Sequence, residues 1–192
     1  MKAVPQIHPM GSPSRRETIL GAATELFSDK GFAGTSMADL ADKLGLSKAA
    51  IYHYFESKES IFQTLLQSSQ EDLEELVNRH KKYPSGYLEA RQILQEFAEF
   101  MYSHRNVVRL SLSEMHAEVK AQGPRGHQHF QRLQELLAGK KPTAERKMRA
   151  RIAMGIIFLG IVPPPHEELS EVENLNLNLL VEIASNSLGI NP

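Results

Sequence analysis

Residues 47–60 read SKAAIYHYFESKES: three aromatic rings in four positions, Tyr52, Tyr54 and Phe55 with His53 among them, followed by Lys58 where a new helix begins. Rings at this density usually belong to a core, yet a helix turns about 100° per residue and cannot point Tyr52, His53 and Tyr54 inward together. With Ser47 as the cap, Ala50, Ile51, Tyr54 and Phe55 cluster on one side, the expected core face. Lys48, Ala49, Tyr52 and His53 fall on the other, where a soluble monomer gains little from exposing a phenol and an imidazole. Their donors and flat apolar faces suit phosphate, sugar and thymine methyl groups, so the pattern points to a helix seated in the major groove of DNA.

Lys58 sharpens this reading. It stands in the first turn of a helix, where the positive end of the macrodipole disfavours a cation by about 0.3–1 kcal/mol. A phosphate docked there reverses the sign, because the helix amides and the ammonium then attract the same anion.

Upstream, Met37, Leu40, Ala41 and Leu44 form the stripe of a short helix that Thr35 or Ser36 caps and Gly45 stops. Only Gly45 and Leu46 precede the next cap, Ser47, and so tight a turn makes two short helices cross steeply, as in a helix-turn-helix. Thr35 is read first as a cap, with a phosphate contact through its hydroxyl or amide as an added role. Further upstream, Ser14-Arg15-Arg16-Glu17 fits a capping box. It opens a helix with Ile19, Ala22, Ala23, Leu26 and Phe27 at helical spacing, ended by Gly31 as a left-handed residue. Residues 1–13, with three prolines, a lysine and no acid, read as a flexible basic arm. Beside such an arm, Arg15 and Arg16 are candidates for the DNA backbone or minor groove.

The stretch from Arg16 to Phe62 strongly resembles the TetR family of transcriptional repressors. The resemblance is carried by Ile19 to Ala23, Phe27, Gly31-Phe32, Thr35, Gly45-Leu46-Ser47, the Tyr52-x-Tyr54-Phe55 string and Lys58. It implies DNA contact through Thr35, Ser47, Lys48, Ala49, Tyr52, His53, Tyr54 and Lys58. It further implies a homodimer built on the last two helices and a small-molecule pocket in a larger C-terminal domain. Many members have glycine where this chain has Ala49, so an operator sequence does not carry over.

Downstream, Ser57 caps a helix running to about Lys82, which Pro84 and Gly86 end. Helical periods continue over 87–102, 106–121, 125–138, 143–162 and 167–188, with Asn106 and Thr143 as punctuation and three prolines at 163–165 breaking the chain. The expectation is an all-α protein of about nine helices. A basic arm (1–13) and a helix-turn-helix domain (14–56) precede a ligand-binding and dimerisation domain (57–192).

The 192 residues carry a net charge of −1, so any case for DNA rests on where charges sit. Residues 1–64 hold seven basic and seven acidic side chains. There is no cysteine, which excludes disulfides and thiol chemistry. The longest apolar run, Met154 to Val162, is half the length of a membrane span, and residues 1–16 lack the leucine-rich core of a signal peptide, so a cytoplasmic location without membrane contact is expected. Nucleophile elbow, phosphate loop and H-E-x-x-H spacing are all missing, which disfavours an enzyme on a helical scaffold. The other rival is a helical dimeric ligand-binding or adaptor protein without operator binding, against which Lys58, Tyr52 and His53 argue. His127 and His129 lie two apart and do not share a helical face, so neither metal nor cofactor is expected.

Residues 87–162 hold more large, flexible apolar groups than bundle packing requires. Phe97, Phe100, Met101, Tyr102, Met115, Phe130, Met154 and Phe158 suggest a cavity for an apolar or amphipathic effector, with Tyr102, His104, Arg109 and His116 as polar handles. For the homodimer, residues 143–162 and 167–188 are the expected surface. Ala150, Ala153, Gly155 and Gly160 would admit a neighbouring helix, and Leu169, Val172, Leu179, Leu180 and Ile183 supply an apolar stripe.

Overall fold

Ser14 opens the first helix as its sequence demands. Its hydroxyl accepts from the Glu17 amide at 3.2 Å, and the Glu17 carboxylate accepts from the Ser14 amide at 2.6 Å, closing the capping box. A computed structural model describes residues 14–113, 117–162 and 175–190, with side chains described outside 112–126. Eight helices lie among the described residues: α1 (Arg15–Lys30), α2 (Met37–Leu44), α3 (Lys48–Tyr52), α4 (Lys58–Arg79), α5 (Tyr87–Ser113), α6 (Ala117–Ala138), α7 (Ala144–Ile161) and α8 (Leu177–Ser187). No strand occurs among those residues. The arm at 1–13, Met115, His116, the triple proline, Leu169 and Val172 lie outside them.

The chain divides into two compact units, residues 1–61 and 62–192, with the boundary inside α4. In the first, Ile19, Ala23 and Phe27 of α1, Leu40 of α2 and Ile51 of α3 are fully enclosed. Burying each such large side chain contributes about 1.5–3 kcal/mol. Gly45 ends α2 at φ 62°, ψ 33°, the left-handed conformation that glycine adopts without steric cost, and its amide closes on Ala41 and Asp42. Ser57 caps α4, its hydroxyl accepting from the Ser60 amide at 3.1 Å.

In the second unit one core joins Leu73 and Leu76 of α4, Ile93, Leu94, Phe97 and Met101 of α5, Leu133 and Leu136 of α6, Ile157 of α7 and Val181 of α8. His104 pairs with Asp72 at 2.9 Å, fastening α5 to α4. Thr143 caps α7 by accepting from the Arg146 amide.

Three expected boundaries change. Asn106 does not divide 87–102 from 106–121: α5 runs through it, because a mid-helix asparagine costs only about 0.7 kcal/mol and the flanking Met101, Val107 and Leu110 are all buried. Residues 122–124 likewise fall within α6 rather than between two helices. In place of a stripe continuing unbroken through 175, Asn176 accepts from the Leu179 amide and starts α8 at Leu177. The three helices expected over 87–138 are thus two, α5 and α6, which gives eight helices among the described residues instead of nine.

The small residues of α7 serve the chain's own packing more than expected. Ala150 and Ala153 are fully buried in the core. A Cβ on Gly160 would stand 2.7 Å from Cδ1 of Leu180, so Gly160 seats α8, whereas one on Gly155 would meet nothing within 4 Å. Leu180 accordingly packs against the subunit's own core. We expect Gly160→Val to destabilise the protein by about 1–3 kcal/mol through overpacking. Gly155→Ala should stabilise it by up to ~1 kcal/mol through helix propensity. Urea-unfolding midpoints should therefore move in opposite directions; coincident midpoints would count against the close approach at Gly160.

Candidate nucleic-acid interface and effector groove

The helix-turn-helix presents a polar and aromatic surface built on a very short helix. Ser47 caps α3 by accepting from the Ala50 amide at 3.2 Å. Ile51 and Phe55 anchor it in the core, while Ser47, Lys48, Ala49, Tyr52 and His53 are exposed, Tyr52 by 51%. Tyr54 departs from its expected core position and is 40% exposed, its ring edge-on to His53 at 5.1 Å. The reason is that Ile51 and Phe55 centre the buried face, and Tyr54 lies about 100° from Phe55, at its flank.

Thr35 is not the cap of α2. Ser36 takes that role in a capping box with Asp39. The Thr35 side chain is buried, and its hydroxyl donates to the carbonyls of Gly31 (2.8 Å) and Leu26 (3.2 Å), so its donor is committed inside the fold. Lys58 has an internal role that sequence reading missed. Its Nζ donates to the Phe32 carbonyl at 2.5 Å and lies 4.3 Å from the centre of the Phe32 ring. The guanidinium of Arg16 stacks over Phe55 at 4.6 Å, and Arg15 is exposed on the first turn of α1.

Charge on this unit is sorted. Lys30 pairs with Asp39 and Lys43 with Glu25, each at 2.8 Å. The Lys30 ammonium, with Ser36, holds the Asp39 carboxyl well below the usual carboxylate range, and Glu25 raises the Lys43 ammonium. Among the described residues, Arg15 and Lys48 have no acidic side chain in ion-pair range, so the unneutralised charge of Lys48 remains on the helix that carries Tyr52.

Within the second unit, a groove of about 670 Å³ opens between α6 and α7. Four of the expected cavity residues line it: Phe97, Phe130, Met154 and Phe158. The rest are engaged elsewhere or stand apart from it. Met101 is fully buried in the core and Phe100 packs against it. Arg105 covers the Tyr102 ring at 4.4 Å, and His104 is held by Asp72 against Phe100. Arg109 does not line the groove. The polar lining comes instead from His127, Gln131, Gln134 and Arg151, residues whose convergence depends on how α6 meets α7 and leaves no local sequence signal. Among the described residues no cluster of three or more His, Asp or Glu is placed to hold a metal ion.

Residues 19–65 match the family model for bacterial regulatory proteins of the tetR family. The nucleoid occlusion factor SlmA of Aliivibrio fischeri (strain MJ11) is 31% identical over 141 residues, covering 71% of this chain and 70% of SlmA. This chain belongs to the TetR family. The transcriptional repressor KstR2 of Rhodococcus jostii (strain RHA1) is 27% identical over 110 residues, 57% of this chain, and the chain spans about half (52%) of that repressor's length. The fold is shared with a transcriptional regulator from Aquifex aeolicus VF5 (TM-score 0.69, 24% identity, 92% of this chain and 98% of that one). It is shared too with the ketosteroid regulator KstR2 of Mycobacterium tuberculosis (TM-score 0.67, 20% identity, 94% and 97% covered). As in the rest of the TetR family, the all-helical chain opens with a helix-turn-helix.

The pairing of Asp39 makes the TetR-type unit acid-sensitive in a defined sense. A carboxyl whose pKa is depressed on folding contributes stability that is complete at neutral pH and is lost as pH falls below the unfolded value toward the folded one. Asp39→Asn should therefore be less stable than the parent at neutral pH, and the gap should narrow below about pH 4. Urea unfolding at both pH values checks this; a gap independent of pH would contradict the assignment.

Proposed function

We propose that the protein is a DNA-binding transcriptional regulator, a repressor that sits on a palindromic operator as a homodimer and is released by a small apolar or amphipathic effector. The observation that carries the DNA-binding reading is the exposed set Lys48, Ala49, Tyr52 and His53 on α3, next to a capped and well-anchored helix. Half of the Tyr52 side chain stands open to water, where the fold makes no use of it, and Lys48 adds a cation without an acidic partner among the described residues. Ser47 and Tyr54 flank this surface, and the exposed Arg15 is a further cation for the backbone, whereas Arg16 is held over Phe55. Lys58, with one proton on Phe32, retains two donors for a phosphate at the start of α4. Thr35 contributes through position alone. The cytoplasm, where such DNA lies, is the corresponding location.

A twofold dimer is required to place two recognition helices in successive major grooves, about 34–36 Å apart. Support for α7 and α8 as the contact comes from their exposed apolar side chains: Met148, Ile152 and Leu159 on α7, Leu179 and Ile183 on α8, with Leu159 exposed by 70%. Such a stripe on two adjacent helices fits a four-helix interface. Leu180, turned toward Gly160, belongs to the subunit's own packing.

For release, an effector must bind one spacing of the DNA-binding units better than another, since a ligand indifferent to both shifts nothing. The lever is α4, which starts at Lys58 and continues into the second unit. A coupling of about 1–3 kcal/mol weakens operator binding roughly 5- to 150-fold.

Fluorescence anisotropy with DNA from upstream of the protein's own gene tests the contact surface. Tyr52→Ala should weaken binding without lowering stability, and Lys48→Ala should reduce the salt slope by about one. Binding by the double variant equal to that of the parent would refute the surface. On a sizing column, Ile152→Asp with Leu159→Asp should elute as a folded monomer; an unchanged dimer would place the interface elsewhere.

A further inference from the structure

We propose that the α6–α7 groove takes an anionic amphiphile, a molecule with an extended apolar body and a single negatively charged head, and that Arg151 binds the head. This deepens the effector reading above and rests on it only for the consequence to DNA. The groove, of about 670 Å³, has Phe97, Phe130, Met154 and Phe158 in its wall. A second hollow of about 380 Å³ adjoins it and includes Tyr83, Lys147 and Pro142. Gln131, Gln134 and Arg151 line both, so the Arg151 side chain stands at the junction.

Charge decides the head group. Among the described residues, neither Arg151 nor Lys147 has a carboxylate in ion-pair range, in contrast to Arg149 on the same helix, which holds Glu145 at 2.8 Å. The acid nearest in the lining, Glu135, is engaged by Arg132 at 3.3 Å and by the Gln131 amide at 3.5 Å. The junction is therefore net positive, with the Gln134 amide alongside. A planar guanidinium accepts a carboxylate or phosphate through two parallel hydrogen bonds.

Geometry decides the body. Residues 151, 154 and 158 share one side of α7, and from 151 to 158 the helix rises about 10 Å. A head at Arg151 thus leaves a body of about that length to lie along Met154 and Phe158 and against Phe97 and Phe130. The volume lies within the range of about 300–1,000 Å³ typical of small-molecule sites. A methionine beside three phenylalanines gives a surface that adapts to a flexible chain.

The test compares three probes of one chain length, dodecanoate, dodecyl phosphate and 1-dodecanol, binding to the full chain below their aggregation concentrations. Equilibrium dialysis or calorimetry without DNA provides the readout. In the parent, dodecanoate or dodecyl phosphate should bind about tenfold or more tighter than dodecanol; which of the two binds tighter identifies the head as carboxylate or phosphate. Arg151→Gln, a change at an exposed position, should bring the anion within about twofold of dodecanol and leave dodecanol unchanged. Equal binding of anion and alcohol by the parent, a preference that survives Arg151→Gln, or no binding of any probe would overturn the proposal. Operator affinity is measured separately. A protein that binds dodecanoate through Arg151 yet keeps its DNA affinity upholds the groove and defeats the release mechanism, so the two readings fail independently.

Discussion

Phe32 is the point on which the helix-turn-helix depends. Its carbonyl accepts from both the Thr35 amide (3.3 Å) and the Lys58 ammonium (2.5 Å), using both lone pairs. Its ring lies 5.2 Å from Phe27 on one side and carries the Lys58 cation on another. Thr35, a few residues on, returns its hydroxyl proton to the end of α1. One turn therefore ties α1, α2 and α4 together, and the orientation of α3 follows because α3 is strung between two of them. A cation that by sequence alone stands on the unfavourable end of a helix is stabilised here by a carbonyl and a ring face before any phosphate arrives.

That constraint explains how so short a helix can present a surface. Five residues cannot hold a helix in water, since nucleation alone outweighs the few hydrogen bonds formed. α3 exists because Ile51 and Phe55 are buried and Ser47 satisfies an amide at its start. The Arg16 guanidinium sits over Phe55, so even the anchor is covered by a charged side chain. The exposed residues between these anchors inherit a fixed direction from the core beneath them. Rigidity of the exposed surface is thus a tertiary property, supplied by neighbours.

The features legible in the sequence were those set by a few adjacent residues. Ser14 with Glu17, Ser47, Ser57 and Thr143 announced helix starts, and each caps as its side chain requires. Helical phase placed Tyr52 and His53 outside and Ile51 and Phe55 inside, and failed at Tyr54, which sits at the flank of the buried face. Asn106 looked like punctuation because its propensity is local, whereas the burial of Met101, Val107 and Leu110 that overrides it is not. The Lys58–Phe32 bond joins residues 26 apart, and nothing near Lys58 reveals it. The groove illustrates the same limit: aromatic content suggested a cavity, but which rings line it and which fill the core depends on the meeting of α6 with α7. His104 and Tyr102 were plausible handles by composition and are already occupied by Asp72 and Arg105.

α7 is a rod of 18 residues with no idle side. Ala150, Ala153 and Ile157 enter the core, Arg151, Met154 and Phe158 line the groove, Met148, Ile152 and Leu159 form an open apolar stripe, and Gly160 receives Leu180. Most half-exposed helices drift freely on their wet side as lineages diverge, keeping only the pattern of the buried one. This helix lacks that freedom: a substitution on any side changes packing, the lining of the groove or the open stripe. Across descendants of this chain, α7 should accept replacements more slowly than its exposure suggests.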